Sequence, residues 1–348
     1  MNDVHLVHIG NLTIGKGKPI LVQTMYDDAL PVDMKRAEAL LIRIGKLNTI
    51  GCDIIRFSYP SKDDHEVFKY LAKASPIPIV ADIHFDHTLA LDAIEAGAHK
   101  IRINPGNIGA RWKVDEVVRA AKDRDIAIRI GLNSGSLPRR EAASPAHLMK
   151  DTALEYLDWF ERLGFTNTVV SLKGSDTDLT IEANRLFAKE SSYPIHLGVT
   201  EAGSVISAVT RSTWALGTLL SEGIGNTLRI SITGEIETEI QAGVELLRTL
   251  GLKKKGIRVV SCPRCGRHTF DTIGFLSSVE EELLAIEKDL TVAIMGCQVN
   301  GPGEAKEADV AITGIGNAIF LYEKGVLSRK VTAQDAKEAL LEAIRNAE

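Results

Sequence analysis

Three of the four cysteines sit where they could do chemistry together. Cys262 and Cys265 lie in SCPRCGR, directly after the strand-like run IRVV, and Cys297 ends the run VAIMG and opens CQVNGPGE. A Cys-x-x-Cys pair after a strand serves zinc, iron–sulfur and dithiol redox sites alike. Two strand-end loops of one small domain can converge, which would bring three thiolates together. Cys52 starts the run CDIIRFSY far away and reads as a small buried apolar residue. The fourth ligand is then not sulfur, and two residues are placed to supply it. His268, three residues past Cys265, would give a zinc site of the Cys3His type. Glu304, seven past Cys297, would give three thiolates and a weak oxygen donor that a substrate oxygen could displace. Spacing leaves both open.

A second set of polar residues follows a period of two: Arg56 and Ser58; Asp82 and His84; Lys100, Arg102 and Asn104; Arg129 and Asn133; Ser171 and Lys173; His196 and Thr200; Arg229, Ser231 and Thr233. The residues between them, such as Ile101, Ile103, Ile128, Ile130, Leu228 and Ile230, are apolar. Parallel strands covered on both faces normally read apolar throughout, so this alternation predicts a polar interior facing an apolar, helix-covered side. The cations Arg56, Arg102, Arg129, Lys173 and Arg229 outnumber the evident acids, Asp82 and Glu201. Unpaired buried charge is expensive, and guanidinium forks match phosphate oxygens. The pattern predicts a polyphosphorylated small-molecule ligand, with the glycines of INPGNIG and GLNSGSL allowing close backbone approach.

The elements that would position these residues are eight β-rich runs, from PILVQTM to TLRISITG, alternating with helical segments such as HTLALDAIEAGA and ALEYLDWFERLG. They predict an α/β protein built on a (β/α)8 TIM-type barrel over residues 1–250, with HLVHIGNLTIGKG as a hairpin plugging its bottom. GLKKKG, residues 251–256, reads as a linker, and residues 257–348 as a small domain of the order β-α-β-β-β-α, its helices placed at VEEELLAIEKDL and from about Ala333.

Composition narrows the function. A net charge of −5 over 348 residues argues against nucleic-acid binding. No run of about 18 uncharged apolar residues suggests a membrane span, and MNDVHLVHIG lacks the pattern of an export signal. Four cysteines make no disulfide framework, so a reducing, cytoplasmic setting is expected.

ADIHF (81–85), KIRINPGNIG (100–109), RIGLNSGSL (129–137), SLKGSD (171–176), HLGVTEAG (196–203), EGIGNTLRISITG (222–234), SCPRCGR (261–267) and MGCQVNGPGE (295–304) together give the chain a close resemblance. It resembles the 4-hydroxy-3-methylbut-2-enyl diphosphate synthase family of the methylerythritol phosphate pathway, in its two-domain bacterial form. The resemblance implies a TIM barrel followed by a small α+β iron–sulfur domain. It also implies an oxidoreductase that opens and dehydroxylates 2-C-methyl-D-erythritol 2,4-cyclodiphosphate with two electrons. The implied cofactor is a [4Fe–4S] cluster on Cys262, Cys265, Cys297 and Glu304, with Asn300 beside it. Arg56, Arg102, Arg129, Asn133, Lys173, His196, Arg229 and Ser231 would bind substrate; Asp82, His84 and Glu201 would orient it or move protons. A ferredoxin or flavodoxin would donate electrons to a head-to-tail homodimer. The run QTMYDDALPVD departs from the family's Thr/Asn/Asp-rich stretch between Tyr26 and Ala29.

Two alternatives stand beside this reading. One is a barrel lyase or transferase acting on a phosphorylated substrate, with structural zinc. The other is a non-catalytic iron–sulfur redox sensor.

Overall fold

The computed structural model describes residues 4–137, 141–200, 203–315 and 318–347. The chain divides into two compact units, Met1–Lys253 and Lys254–Glu348.

In the first unit eight parallel strands, Leu21–Met25, Ile54–Ser58, Ile79–Asp82, Lys100–Ile103, Ala127–Asn133, Thr168–Lys173, His196–Leu197 and Thr227–Leu228, alternate with helices. A bridge between Val170 and Ile195 joins the sixth strand to the seventh, so the sheet closes on itself. The last two strands are only two residues long, shorter than their sequence runs predict. Past Leu197 and Leu228 the chain opens into glycine- and hydroxyl-rich loops that leave the ladder.

The alternation predicted from sequence is realised. Val22, Ile55, Ala81, Ile101, Ile128, Val170, Leu197 and Leu228 face the helices in one apolar core. Following the register around the barrel, the inward residues stack in layers drawn from alternate strands. The deepest mixed layer is Ile54, Lys100, Val169 and Thr227. Above it come Gln23, Val80, Arg129 and His196, then Arg56, Arg102, Ser171 and Arg229. Met25, Asp82, Gly131 and Gly198 follow, and Ser58, Asn104, Lys173 and Ser231 lie at the mouth.

Below these layers lies the antiparallel hairpin of Val7–Ile9 and Leu12–Ile14. Its Val7, Ile9 and Ile14 are fully buried against Leu21, Ile54, Val80, Ala127 and Val169. The Asn167 side chain fastens the hairpin by accepting from His8 N at 3.0 Å and donating to His8 O at 3.3 Å. Truncating Ile9 to Ala is expected to lower unfolding free energy by about 2–5 kcal/mol. Denaturant unfolding checks this; a loss below about 1 kcal/mol would mean that the hairpin does not seal the barrel.

The second unit holds a five-stranded sheet of Ile257–Ser261, Leu290–Met295, Val310–Ile315, Ala318–Glu323 and Val326–Val331. The first three strands are parallel and the last two antiparallel. Helices Thr272–Leu284 and Ala336–Asn346 cover one face. The first begins earlier than the VEEELLAIEKDL run predicts, because Asp271 caps it by accepting from Gly274 N. Two elements go beyond the predicted order. One is the third strand after Met295. The other is a short helix, Gly301–Glu307, where the glycine- and proline-rich stretch reads as loop; Pro302 falls in its first turn, where proline is tolerated. Ala305 of this helix packs on Ala293, Met295 and Ala311 on the opposite sheet face, and Cys262 packs against the same cluster.

Candidate functional site

The barrel interior concentrates positive charge. Asp82 lies 3.3 Å from Arg102 and 3.9 Å from Arg56. His84, with its side chain 49% exposed, places Nε2 3.2 Å from the same carboxylate. Burial alone would raise Asp82, but Arg56, the His84 hydrogen bond and Arg102 override it and hold the group well below the usual carboxylate range. Asp82 is therefore a fixed anion.

Arg229 is bound bidentately by Glu239, at 3.0 and 2.9 Å. Glu239 also accepts from Thr24 Oγ1 and Ile232 N and is almost fully buried. Sequence reasoning missed this acid. It comes from helix Ile236–Thr249, outside the strand alternation, and its only local signal is a glutamate on an otherwise apolar helix face.

Even with Glu239, six interior cations, Arg56, Lys100, Arg102, Arg129, Lys173 and Arg229, face two carboxylates among the described residues, Asp82 and Glu239. Arg129 is 1% exposed, and its Nε and Nη1 have no partner. Burial and then the charges of Arg56 and Arg102 push it well below its ordinary value. A guanidinium does not deprotonate in proteins, so this push measures uncompensated charge. Arg56 is lowered to about 10, again chiefly by burial. Its Nε and Nη2 donate to the Met25 thioether, which Arg229 Nη1 also approaches at 3.6 Å.

Two glycines make room for the cations. A Cβ on Gly131 would stand 2.4 Å from Arg102 Nε, and one on Gly198 would stand 2.6 Å from Lys173 Nζ. His196 is fully buried, with Nδ1 2.7 Å from Thr227 Oγ1 and Nε2 unpartnered. Asn133 and Ser231 are half-buried near the strand ends. Glu201 lies outside the described residues. The structure thus brings together Arg56, Asp82, His84, Arg102, Arg129, Lys173, His196 and Arg229.

In the second unit the parallel strands Ile257–Ser261 and Leu290–Met295 end side by side, so Cys262 and Cys297 emerge at one sheet edge. Cys262 N donates to Ile294 O at 3.0 Å, and Thr269 N to Gly296 O at 2.7 Å, joining the two loops. Arg264 adopts φ +68°, a left-handed turn between Cys262 and Cys265. Cys297 is lowered from the ordinary thiol value by backbone N–H groups of Asn300 and Val299, with further help from Arg267 and Gly301 N–H. Cys262 and Cys265 carry free thiols on the adjoining loop. Asn300 precedes helix Gly301–Glu307, and the exposed Glu304 lies in its first turn.

Among the described residues, no three His, Cys, Asp or Glu groups stand close enough to hold one metal ion. His268 has both ring nitrogens engaged, by Cys265 O and by Arg264 Nη2, so a Cys3His zinc set is not assembled. Cys52 is buried, donates to Ile54 O at 3.3 Å and is pushed up to about 12 by burial, which makes it structural.

Burial, followed by Lys173, Arg129, Lys100 and Arg56, pushes His196 well below its ordinary value. The unfolded chain therefore binds a proton that the folded barrel refuses. Stability is expected to fall as pH drops below about 6.5, by at most about 1.4 kcal/mol per pH unit from this group. Urea unfolding of the native chain and of His196→Gln at pH 7 and 5.5 reads the effect. An unchanged slope in the variant would mean that His196 protonates within the fold.

Residues 4–244 match the GcpE TIM-barrel domain and residues 258–346 the GcpE protein C-terminal domain. A 4-hydroxy-3-methylbut-2-en-1-yl diphosphate synthase (flavodoxin) of Symbiobacterium thermophilum is 44% identical over 97% of this chain and 91% of its own length. The synthase of the same name from Geobacter sulfurreducens is 44% identical over 96% of this chain and 95% of its own length. Among solved structures, a Xanthomonas albilineans dihydropteroate synthase aligns with a TM-score of 0.52 at 12% identity, covering 72% of this chain and 98% of that one; the likeness is one of fold. No described helix is long and apolar enough to cross a membrane.

Proposed function

This chain belongs to the GcpE family, and we infer from that premise how its residues divide the work of the family reaction. The chain is a 4-hydroxy-3-methylbut-2-enyl diphosphate synthase. It converts 2-C-methyl-D-erythritol 2,4-cyclodiphosphate to 4-hydroxy-3-methylbut-2-enyl diphosphate by two-electron reductive ring opening and loss of a hydroxyl. The observation that carries the reading is the barrel's uncompensated charge: Arg129 buried with two free donors, among cations that outnumber their acids.

Arg56, Arg102, Arg129, Lys173 and Arg229 grip the diphosphate, with Asn133 and Ser231 adding neutral donors. Asp82 and Glu239 hold Arg102 and Arg229 in place. Asp82 is locked as an anion and so serves to position, while the exposed His84 beside it holds and moves a proton at Nε2. His196, neutral in the free protein, orients substrate from below, and Glu201 shares the proton work.

The thiol chemistry fits a sulfur-bound cluster better than a single closed ion: three free thiols lie on joined loops, one is biased toward thiolate, and Glu304 projects from the adjoining helix. Cys262, Cys265, Cys297 and Glu304 would hold a [4Fe–4S] cluster, with Asn300 beside it. When bound, the cluster supplies two electrons singly and an iron that acts as a Lewis acid on a substrate oxygen. A flavodoxin is the donor, in keeping with the relatives' names, and the enzyme works in the cytoplasm.

Oxygen-protected protein is expected to contain iron and sulfide, and Cys297→Ala to lose the visible cluster absorption. Stoichiometric zinc without iron, or a full spectrum in the variant, would overturn the ligand assignment. The active form is a head-to-tail homodimer in which the cysteine-bearing unit of one subunit serves its partner's barrel. Mixing inactive Arg129→Ala with inactive Cys297→Ala subunits is then expected to restore turnover, since some mixed dimers hold one intact site. Absence of restored activity after verified subunit exchange would place each site within one chain.

A further inference from the structure

Lys100 stands out among the interior cations. It is fully buried in the deepest mixed layer, beside the apolar Ile54 and Val169. Its Nζ donates to a neutral acceptor, Gln23 Oε1, at 3.2 Å. The charges that bear on it are Arg129 and Arg56, both positive. The acids closest to this region are committed elsewhere, Asp82 to Arg56, Arg102 and His84, and Glu239 to Arg229. Below, the hairpin contributes Val7, Ile9 and Ile14, none of them titratable. In the layer above, Gln23 Nε2 and His196 Nε2 are buried without partners. His196 faces Lys173, Arg129, Lys100 and Arg56.

We propose that Lys100 and His196 form a proton-accepting floor beneath the anion site, and that binding of the cyclic diphosphate is coupled to proton uptake on this floor. Arginine cannot shed a proton, whereas lysine and histidine can. In the free protein the crowding of positive charge is therefore relieved at Lys100 and His196 on the floor and at Lys173 nearer the mouth, all pushed well below their ordinary values. A bound dianion reverses the sign of the local field and draws protons back onto them. Ring opening exposes another ionised phosphoryl oxygen, and the refilled floor meets that added charge. Lys100 is a positioning residue that acts through Gln23 and the field.

The inference rests on the cyclic diphosphate being the ligand. That compound has one strongly acidic group on each phosphorus, so it takes up no proton near neutrality. Any proton taken up on binding comes to the protein. The test is titration calorimetry of oxygen-protected holoprotein with the cyclic diphosphate at pH 8, without reductant, in Tris and in HEPES, whose ionisation heats differ. The native protein is expected to show buffer-dependent heats corresponding to proton uptake. Lys100→Met, which matches the apolar layer, is expected to bind with that uptake at least halved, and Lys100→Gln to behave alike should the methionine variant not fold. Buffer-independent heat for the native protein, or native uptake in the lysine variants, would overturn the floor while leaving the substrate assignment standing. Absence of any binding heat in the native protein would overturn both.

Discussion

Uncompensated positive charge inside a closed sheet is the constraint on which the rest of the structure depends. A cation removed from water is costly unless something negative replaces the lost solvation. The described barrel supplies two carboxylates for six cations, and those two are spent on fixing guanidinium orientation. The remaining deficit has the sign and the donor geometry for phosphoryl oxygens. Stability and affinity are thereby opposed, because filling the cavity with the protein's own acids would steady the fold and abolish the site.

The scaffold can tolerate this because its apolar interactions lie elsewhere. The helix-facing sides of the strands carry a continuous aliphatic core, and the hairpin closes the lower end with Val7, Ile9 and Ile14. Polar side chains are thus confined to the layers above the hairpin, and toward the mouth Gly131 and Gly198 leave room for the tips of Arg102 and Lys173. The second unit divides its labour in a similar way. Two long helices cover one sheet face, while Gly301–Glu307 covers the other, and the backbone N–H groups of Asn300 and Val299 just before it bias Cys297 toward thiolate.

Much of this was legible in the sequence, because period two in a strand is a direct statement about which way a side chain faces. Arg56, Asp82, Arg102, Arg129, Lys173 and His196 could be placed inside the barrel from that alone. The residues that escaped are those whose role depends on something other than their own strand. Glu239 reaches the site from a helix, so no strand pattern announces it. Lys100 was visible as inward but not as isolated, since isolation depends on what the other strands place around it. The helix at Gly301 was hidden by glycine and proline, which mark loops when counted and helix starts when positioned. Cys262 and Cys297 were expected to converge because their runs end alike; parallel register brings the two loops together, yet it leaves the side chains short of a single-ion set.

Met25 has a bearing on how the site exchanges partners. Its sulfur stands between Arg56 and Arg229 as an acceptor that is uncharged, polarisable and weak. An incoming oxygen anion that takes over these guanidiniums evicts a placeholder which leaves no orphaned charge and needs no counter-ion of its own. Had an aspartate filled that corner, every binding event would have begun by breaking a salt bridge; with a thioether, the resting barrel keeps two of its strongest donors on loan.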